Sequence, residues 1–305
     1  MEQFNPENLK KLYIPAQGSH KGQNGKLMLI GGSHLFHAAS LWSLQIASRI
    51  VDMVFYSSVA ENNLIVEELK KEFRNGIIVR RDDMENYIEE ADAILIGPGM
   101  LRTERKEEIK RKEYSLEEIN QLADEGEQSY YLTKYLLGKY PHKKWVIDAG
   151  ALQMLEPEWL PQLKGNVVLT PHPLEFERVF GRELKIQNSN QIESGSKVDK
   201  NFVEEMAKKY NCTILVKGKE DMVCSAEQCI EISGGNAGMT KGGTGDVLAG
   251  LVAALACKND LYLAATAGSY INKKAGELLF ERVGYYFNAS DLANEIPQAM
   301  MQLLL

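Results

Sequence analysis

Cysteine and histidine are scarce in this chain, at four and five of 305 residues. Cys212, Cys224, Cys229 and Cys257 form no Cys-x-x-Cys pair, and no histidine lies near them in sequence, so a zinc site lacks its ligands. Cys224 and Cys229 bracket a predicted hairpin and could be neighbours, yet the expectation for all four is free thiols in a reducing cytosol. Long apolar runs are missing as well. The longest, counting glycine, is Val247 to Cys257, short of the ~20 residues a membrane span requires, so it reads as a buried helix. The opening residues Met1-Glu2-Gln3-Phe4-Asn5-Pro6 contain neither the basic nor the apolar region of a secretory signal, which gives a cytoplasmic expectation. Positive charge is in deficit too: a formal charge of −7 argues against a nucleic-acid surface. The remaining proportions, 44% hydrophobic and 25% charged, are those of a soluble globular chain, long enough for one large α/β domain or two small ones.

Glycine, by contrast, is concentrated where it matters most. Five glycines lie from Gly234 to Gly243, and the stretch ends Gly242-Gly243-Thr244-Gly245-Asp246 before running into the apolar helix. Residues without a Cβ let the chain bring its N–H groups close to a ligand. The first N–H groups of a helix lack partners within it and carry partial positive charge. Together they make an anion site suited to phosphate. Asp246 in the first helical turn would repel a resting phosphate, which makes sense for a group that accepts a proton from a nearby hydroxyl. A plainer account, in which Thr244 is an N-cap and Asp246 complements the helix dipole, explains two residues but not the five glycines. The spacing is not that of a Walker loop, because no Lys-Ser/Thr follows the last glycine.

The rest of the chain predicts a mainly parallel α/β sheet. Short apolar runs at Lys26–Ile30, Met53–Tyr56, Ile77–Val79, Ala93–Ile96, Trp145–Ile147, Val167–Leu169 and Thr213–Val216 alternate with helical stretches, several ending in glycine. Two further short strands are expected around Met222 and Ile230, then helices over about Leu261–Arg282 and Ser290–Leu304. Between about residues 102 and 144 the sequence is densely charged and rich in tyrosine. Its alternating charge predicts a solvated helical face, a peripheral insertion or an oligomer contact within a single 1–305 domain.

Ligands of such sheets bind beyond the carboxyl ends of the strands. Asp148, Glu175 and Lys217 all fall there, as does His172. Singly, each has an ordinary explanation as a turn or first-turn residue. Jointly they offer what a nucleotide's phosphates need: a cation, and carboxylates to position Mg²⁺ or its waters. His34 and His37, after Gly31-Gly32-Ser33, are weaker candidates.

These segments resemble the NAD(P)H-hydrate dehydratase family. The similarity lies in Lys21–Ser33 (KGQNGKLMLIGGS), Gly97-Pro98-Gly99, Val146–Leu152, Thr170–Phe176 (TPHPLEF), Gly238–Gly250 (GMTKGGTGDVLAG), and Ala289–Leu292 with Glu295-Ile296-Pro297. The resemblance covers about residues 20 to 297 apart from the charged stretch. It implies a ribokinase-like fold and an enzyme that uses ADP or ATP, with Mg²⁺, to dehydrate the S-epimer of NADHX or NADPHX. By similarity, Asp246 is the base, and Gly242, Gly243, Thr244 and Gly245 form the anion hole, Gly245 also touching the nucleotide. Lys217, Gly218, Lys219, Glu220 and Asp221 would line the adenine nucleotide. Ala39, Gly99 and His172, with Asp246, match positions that contact the hydrated cofactor. Glu175 would organise Mg²⁺ indirectly, with Asp148 a second metal candidate. An NAD(P)H-hydrate epimerase would be the functional partner, with no epimerase domain read in this sequence, and a homo-oligomer is implied, tetramers occurring among similar proteins.

The sequence departs from the family pattern at Ala38, at Ser48–Met53, and at Lys241, which replaces a small or apolar residue and either adds charge to the phosphate site or points to solvent. The rival reading is a ribokinase-like kinase acting on a thiazole, pyrimidine or sugar alcohol. A non-catalytic nucleotide-binding regulator is a third, opposed by the intact Asp246.

Overall fold

The computed structural model describes residues 2–104, 106–109, 112–187 and 198–305. Its elements begin with β1 (Glu2–Gln3), β2 (Lys26–Ile30), α1 (His37–Ala47), β3 (Met53–Ser57), α2 (Ala60–Leu69), β4 (Ile77–Ile78), α3 (Met84–Glu90) and β5 (Ala93–Ile96). Next come α4 (Lys106–Ile109), α5 (Leu116–Gln121), α6 (Glu125–Lys139), β6 (Lys144–Ile147), α7 (Ala149–Met154), β7 (Val167–Leu169) and α8 (Pro173–Gln187). The chain continues through α9 (Lys200–Tyr210), β8 (Thr213–Val216), β9 (Asp221–Cys224), β10 (Cys229–Ile232), α10 (Thr244–Ala256), α11 (Leu261–Val283) and α12 (Ala289–Leu304).

The strands of the described residues form one sheet in the order β1-β10-β9-β8-β7-β6-β5-β2-β3-β4. From β8 to β4 all neighbours are parallel; β9 is antiparallel to β8 and β10. The expected mainly parallel α/β sheet is therefore observed. Successive side chains of a strand point to opposite faces, and both faces here are covered. Leu27 and Leu29 join Leu95, Val146, Val168 and Leu215 in a core under α1, α10, α11 and α12. Met28 and Ile30 join Ile94, Ile96, Trp145 and Ile147 in a second core under α3, α6, α7, α8 and α9. Strands buried on both sides are apolar along their whole length, which is why they read as short continuous runs.

The chain moves from β2 outward to β3 and β4, then returns to β5 on the other side of β2. That reversal sets the loops leaving β2 and β5 side by side at the carboxyl ends of the strands, the Gly32 N–H donating to the Pro98 carbonyl at 2.7 Å, on the rim where ligands of such sheets bind. Helix α10 packs between the sheet and both α1 and α11, and from Val247 to its end it is apolar on every side, as a helix segment enclosed by protein is. Among the described residues no helix is long and apolar enough to cross a membrane.

Two expectations are corrected. The antiparallel register of β9 and β10 sets Cys224 opposite Cys229 with Cα atoms 4.1 Å apart, and a disulfide joins them; only Cys212 and Cys257, both buried, are free thiols. The charged stretch also divides. Its acidic residues cluster before α6, where Glu107, Glu108, Glu117 and Glu118 are exposed; Arg105, Lys110 and Arg111 lie outside the described residues. Helix α6 itself turns Tyr130, Tyr131, Leu132, Leu136 and Leu137 into the second core, Tyr130 edge-on to Trp159. It is a layer of the fold, and charge alternation in its neighbours masks that.

Candidate active site

Asp148, at the end of β6, is 2% exposed. Its Oδ1 accepts from Thr170 Oγ1 at 2.9 Å and from Lys217 Nζ at 2.9 Å. The backbone around it is constrained. Ala149, the next residue, adopts a left-handed φ of 43°, a conformation that costs a non-glycine residue on the order of 1 kcal/mol and tends to persist at functional sites. Gly97 at the end of β5 lies so close that a methyl group there would collide with the Asp148 carbonyl.

Glu175, in the first turn of α8, is 5% exposed. It accepts from Gln153 Nε2 at 3.0 Å and from the His172 N–H at 3.0 Å, and its own N–H donates to His172 Nδ1 at 3.3 Å. That reciprocal arrangement closes the entrance to α8, and leaves the His172 ring half exposed with Nε2 3.6 Å from Oε1. Lys217, leaving β8, has its N–H tied to the Pro171 carbonyl at 2.8 Å, which aims its side chain back across β7. Its ammonium sits 2.9 Å from Asp148 and 3.9 Å from Glu175. Gln153 and Thr170 complete this cluster, and sequence reasoning gave neither a part in it.

Asp246 enters from α10. The left-handed φ of 96° at Gly243 starts that helix, and a side chain there would strike the Trp42 ring of α1. Gly242 and Gly243 N–H groups take no backbone acceptor among the described residues. Thr244 contributes differently: its hydroxyl donates within the turn, 2.6 Å from the Met239 carbonyl and 2.9 Å from that of Lys241, and its N–H is 3.3 Å from the Lys241 carbonyl. Thr244 shapes the loop, and the free donors belong to the glycines. The Asp246 carbonyl accepts from Ser43 Oγ at 2.7 Å, fixing the helix start against α1. Lys217 also reaches this point, with Nζ 3.4 Å from where a Cβ on Gly245 would be.

Burial pushes the Asp246 carboxyl up to about 7; the charges of Asp148 and Glu175 add to the rise while Lys217 opposes it. Lys217 moves the other way from what burial alone would do: Asp148, Glu175 and Asp246 hold its ammonium above the usual lysine range. The result is a carboxylate poised near neutrality beside a fixed cation, the arrangement a general base needs. Among the described residues no group of three or more His, Cys, Asp or Glu side chains could hold a metal ion. Asp148 and Glu175 suit Mg²⁺ if phosphate oxygens and waters complete its shell, the usual manner of Mg²⁺ binding.

The other sequence candidates lie around this cluster. Ala39 and Gly99 lie against each other on this rim, a methyl on Gly99 falling 3.1 Å from Ala39 Cβ. Gly218 and Lys219 form an exposed turn, followed by the partly buried Glu220. Asp221 is buried beneath that turn, accepting from the Gly218 N–H at 2.8 Å and Ser269 Oγ at 2.7 Å and pairing with Lys273 at 3.3 Å. It braces the turn from below. Lys241 bonds the Tyr285 carbonyl and covers the Phe287 ring at 5.1 Å. His34 and His37 are engaged by Glu125 and Asn62.

Residues 27–298 match the family model described as NAD(P)H-hydrate dehydratase. The chain belongs to that family. It is 33% identical to the ADP-dependent (S)-NAD(P)H-hydrate dehydratase of Nitrosopumilus maritimus, over 96% of this chain and 94% of that protein. It is 32% identical to the bifunctional NAD(P)H-hydrate repair enzyme of Methanocaldococcus jannaschii, over 96% of this chain and 51% of that protein. The chain thus spans about half the length of the bifunctional relatives it matches. Among solved structures, a ribokinase-like superfamily protein from Enterococcus faecalis aligns with a TM-score of 0.77 at 21% identity, covering 99% of this chain and 96% of that one. The ADP/ATP-dependent NAD(P)H-hydrate dehydratase of Bacillus subtilis, co-crystallised with ATP/Mg²⁺, gives 0.76 at 22%, covering 99% and 98%. The family's fold is ribokinase-like, and so is this one.

Proposed function

We propose that this protein is an ADP- or ATP-dependent (S)-NAD(P)H-hydrate dehydratase. The observation that carries the reading is Asp246, a carboxylate held near pH 7 beside Lys217 at a glycine loop with free N–H groups. In this reading the hydrate lies between Ala39, Gly99, His172 and Asp246. Asp246 removes the proton of its hydroxyl, and that oxygen attacks the terminal phosphoryl group of the nucleotide, releasing AMP from ADP or ADP from ATP. Breaking of the carbon–oxygen bond, with loss of the neighbouring proton, then expels phosphate and restores the dihydronicotinamide.

Lys217 and the N–H groups of Gly242, Gly243 and Gly245 stabilise the charge on the moving phosphoryl group. The turn from Gly218 to Glu220, held from below by Asp221, lines the adenine nucleotide. Thr244 keeps the anion loop in shape. Mg²⁺, held through its waters by Glu175 and by Asp148, would supply charge neutralisation on the phosphates. The same reading makes the protein a cytoplasmic homo-oligomer that works alongside an NAD(P)H-hydrate epimerase.

The test is to incubate the purified protein with acid-generated NADHX or NADPHX, Mg²⁺ and either ADP or ATP, and follow the return of dihydronicotinamide absorbance. Recovery confined to the S-epimer and dependent on nucleotide is the expected result, and the preferred donor emerges from the same assay. No recovery with either donor, in a protein that still binds nucleotide, would overturn the reading in favour of a small-alcohol kinase.

A further inference from the structure

Two segments that a phosphoryl donor would span come from different parts of the chain. One is the turn from Gly218 to Asp221 after β8, the other the glycine loop that runs from Gly234 into α10. Lys273, in the middle of α11, touches both. Its ammonium donates to the Lys219 carbonyl at 2.9 Å, the Gly218 carbonyl at 3.2 Å and the Gly234 carbonyl at 3.5 Å, and lies 3.3 Å from Asp221 Oδ1. The residue is only 5% exposed, so these four oxygens stand where water would otherwise surround the charge. A buried ammonium without such partners is costly, and moving either segment away would leave it short of them.

The same face of α11 seats the first half of the glycine loop. Ser269, Lys273 and Glu277 are four residues apart in turn, which places them one above another on the helix. Ser269 Oγ donates to Asp221 Oδ2 at 2.7 Å, and Glu277 Oε1 accepts the Gly235 N–H at 3.0 Å. The Gly276 carbonyl accepts from Asn236 Nδ2 at 2.7 Å. Left-handed φ values of 116° at Gly234 and 73° at Gly235 let the loop lie against the helix, and a methyl on Gly235 would fall 3.4 Å from Lys273 Cγ. Gly276 leaves room for Met239, whose sulfur would be 2.3 Å from a methyl there. The Met239 carbonyl in turn accepts the Thr244 hydroxyl at the start of α10. On the other side, the turn from Gly218 follows Lys217 directly, and Lys217 is anchored 2.9 Å from Asp148.

We propose that Lys273 is a positioning residue for the phosphoryl donor. Its ammonium is an internal cross-link that sets the distance between the turn lining the adenine nucleotide and the loop receiving its phosphates. The proposal rests on the dehydratase reading above for the ligand that spans turn and loop. Lys273 touches neither substrate. Ala39, Gly99 and His172, which that reading places against the hydrate, receive none of its contacts. Loss of the ammonium should therefore fall on the donor and spare the hydrate.

The test compares the wild type with Lys273→Met, which keeps the apolar stem and removes the charge, and Lys273→Ala, which also empties the space. ADP and ATP binding are measured by calorimetry, and turnover with NADHX, Mg²⁺ and either nucleotide. Both variants are expected to weaken nucleotide binding and raise the donor KM by roughly tenfold, with the KM for NADHX within about twofold of wild type. Ammonium chloride should restore donor binding to Lys273→Ala by filling the vacated position, and not to Lys273→Met, whose stem blocks it. Tetramethylammonium chloride at the same ionic strength, too large for that space, should restore neither. Unchanged donor binding in Lys273→Met, equal rises in the KM for donor and hydrate, or no gain from ammonium in a folded Lys273→Ala would overturn the proposal and leave the dehydratase reading intact. If Lys273→Ala does not fold, the comparison of donor with hydrate in Lys273→Met decides. A wild type that turns over no hydrate would remove the dehydratase reading, and the calorimetric comparison would still decide whether Lys273 sets the nucleotide site.

Discussion

On one side of the strand-order reversal, Lys217 holds Asp148 at 2.9 Å and Glu175 at 3.9 Å, and every one of these charges has a fixed partner. On the other side, Arg81 and Asn120 border a cavity of about 710 Å³, and Arg81 Nε and Asn120 Oδ1 are buried with no hydrogen-bond partner among the described residues. The contrast separates fully paired charges from unpartnered buried polar atoms on one rim. Groups that do chemistry must already be in place before substrate arrives, because reorganising charges during the reaction would raise the barrier. The cost is burial of the Asp246 carboxyl and, after that, repulsion from Asp148 and Glu175, which together raise it.

The sharpest way to break this contrast is Asp246→Asn. Removing the base is expected to lower kcat by roughly 10³-fold, within the range of general-base catalysis. Nucleotide affinity should hold or improve, because a carboxylate no longer faces phosphate. Stability should respond in the same direction. Burial holds the folded carboxyl near 7, well above its ordinary value of 3.8, so its favourable contribution is present below about 3.8 and lost as pH rises through about 7. At pH 8 the variant should therefore be more stable by on the order of 1 kcal/mol, after allowance for partial solvent exposure. Loss of activity together with lost nucleotide binding would instead make Asp246 a structural residue.

The wild-type pH profile is the next test. If Asp246 must be ionised, kcat/KM should rise about tenfold per pH unit below roughly 7 and level off above it. Replacing Lys217 with Met removes the cation that pulls the Asp246 carboxyl down, so the midpoint should move further up. A profile flat from pH 5 to 8 would remove the link between the carboxylate cluster and the proton transfer.

Much of this side was legible from the chain itself. Lys26–Ile30, Ala93–Ile96, Val167–Leu169 and Thr213–Val216 are strands with the bounds read from sequence, because two buried faces make an unbroken apolar run. Asp148, Glu175, Lys217 and Asp246 stood out because each ends a strand or begins a helix. Gln153 did not, since nothing in its spacing tells that it reaches Glu175. The Cys224–Cys229 pairing depends on hairpin register, and the burial of α6 on which face of a helix meets the sheet. The cavity was invisible for the same reason: its lining comes from segments around Ser58, Arg81, Asn120 and Glu125, with no spacing in common.

A smaller effect is expected at Gly243. Its φ of 96° favours glycine, and any side chain would press on Trp42 and Ala289. Gly243→Ala should cost about 1–3 kcal/mol in a denaturant titration and also weaken phosphate-dependent turnover, since the loop donors shift with the backbone. If stability alone changes, the free N–H groups of the loop are not part of the phosphate site.

The mildest outcome should come from Lys241, although it stands two residues from Gly243 in the anion loop. Its ammonium bonds the Tyr285 carbonyl and covers the Phe287 ring, and the side chain is exposed. An exposed cation–π contact contributes about 0.5–1 kcal/mol, and a surface hydrogen bond adds little more. Lys241→Ala should therefore change stability by less than about 1 kcal/mol and kcat by less than about twofold. Steady-state rates at saturating nucleotide decide the matter. A tenfold fall in kcat at unchanged stability would mean that Lys241 leaves Tyr285 for the phosphate when substrate is bound, and the preset charge of the site would then extend from Lys217 into the glycine loop itself.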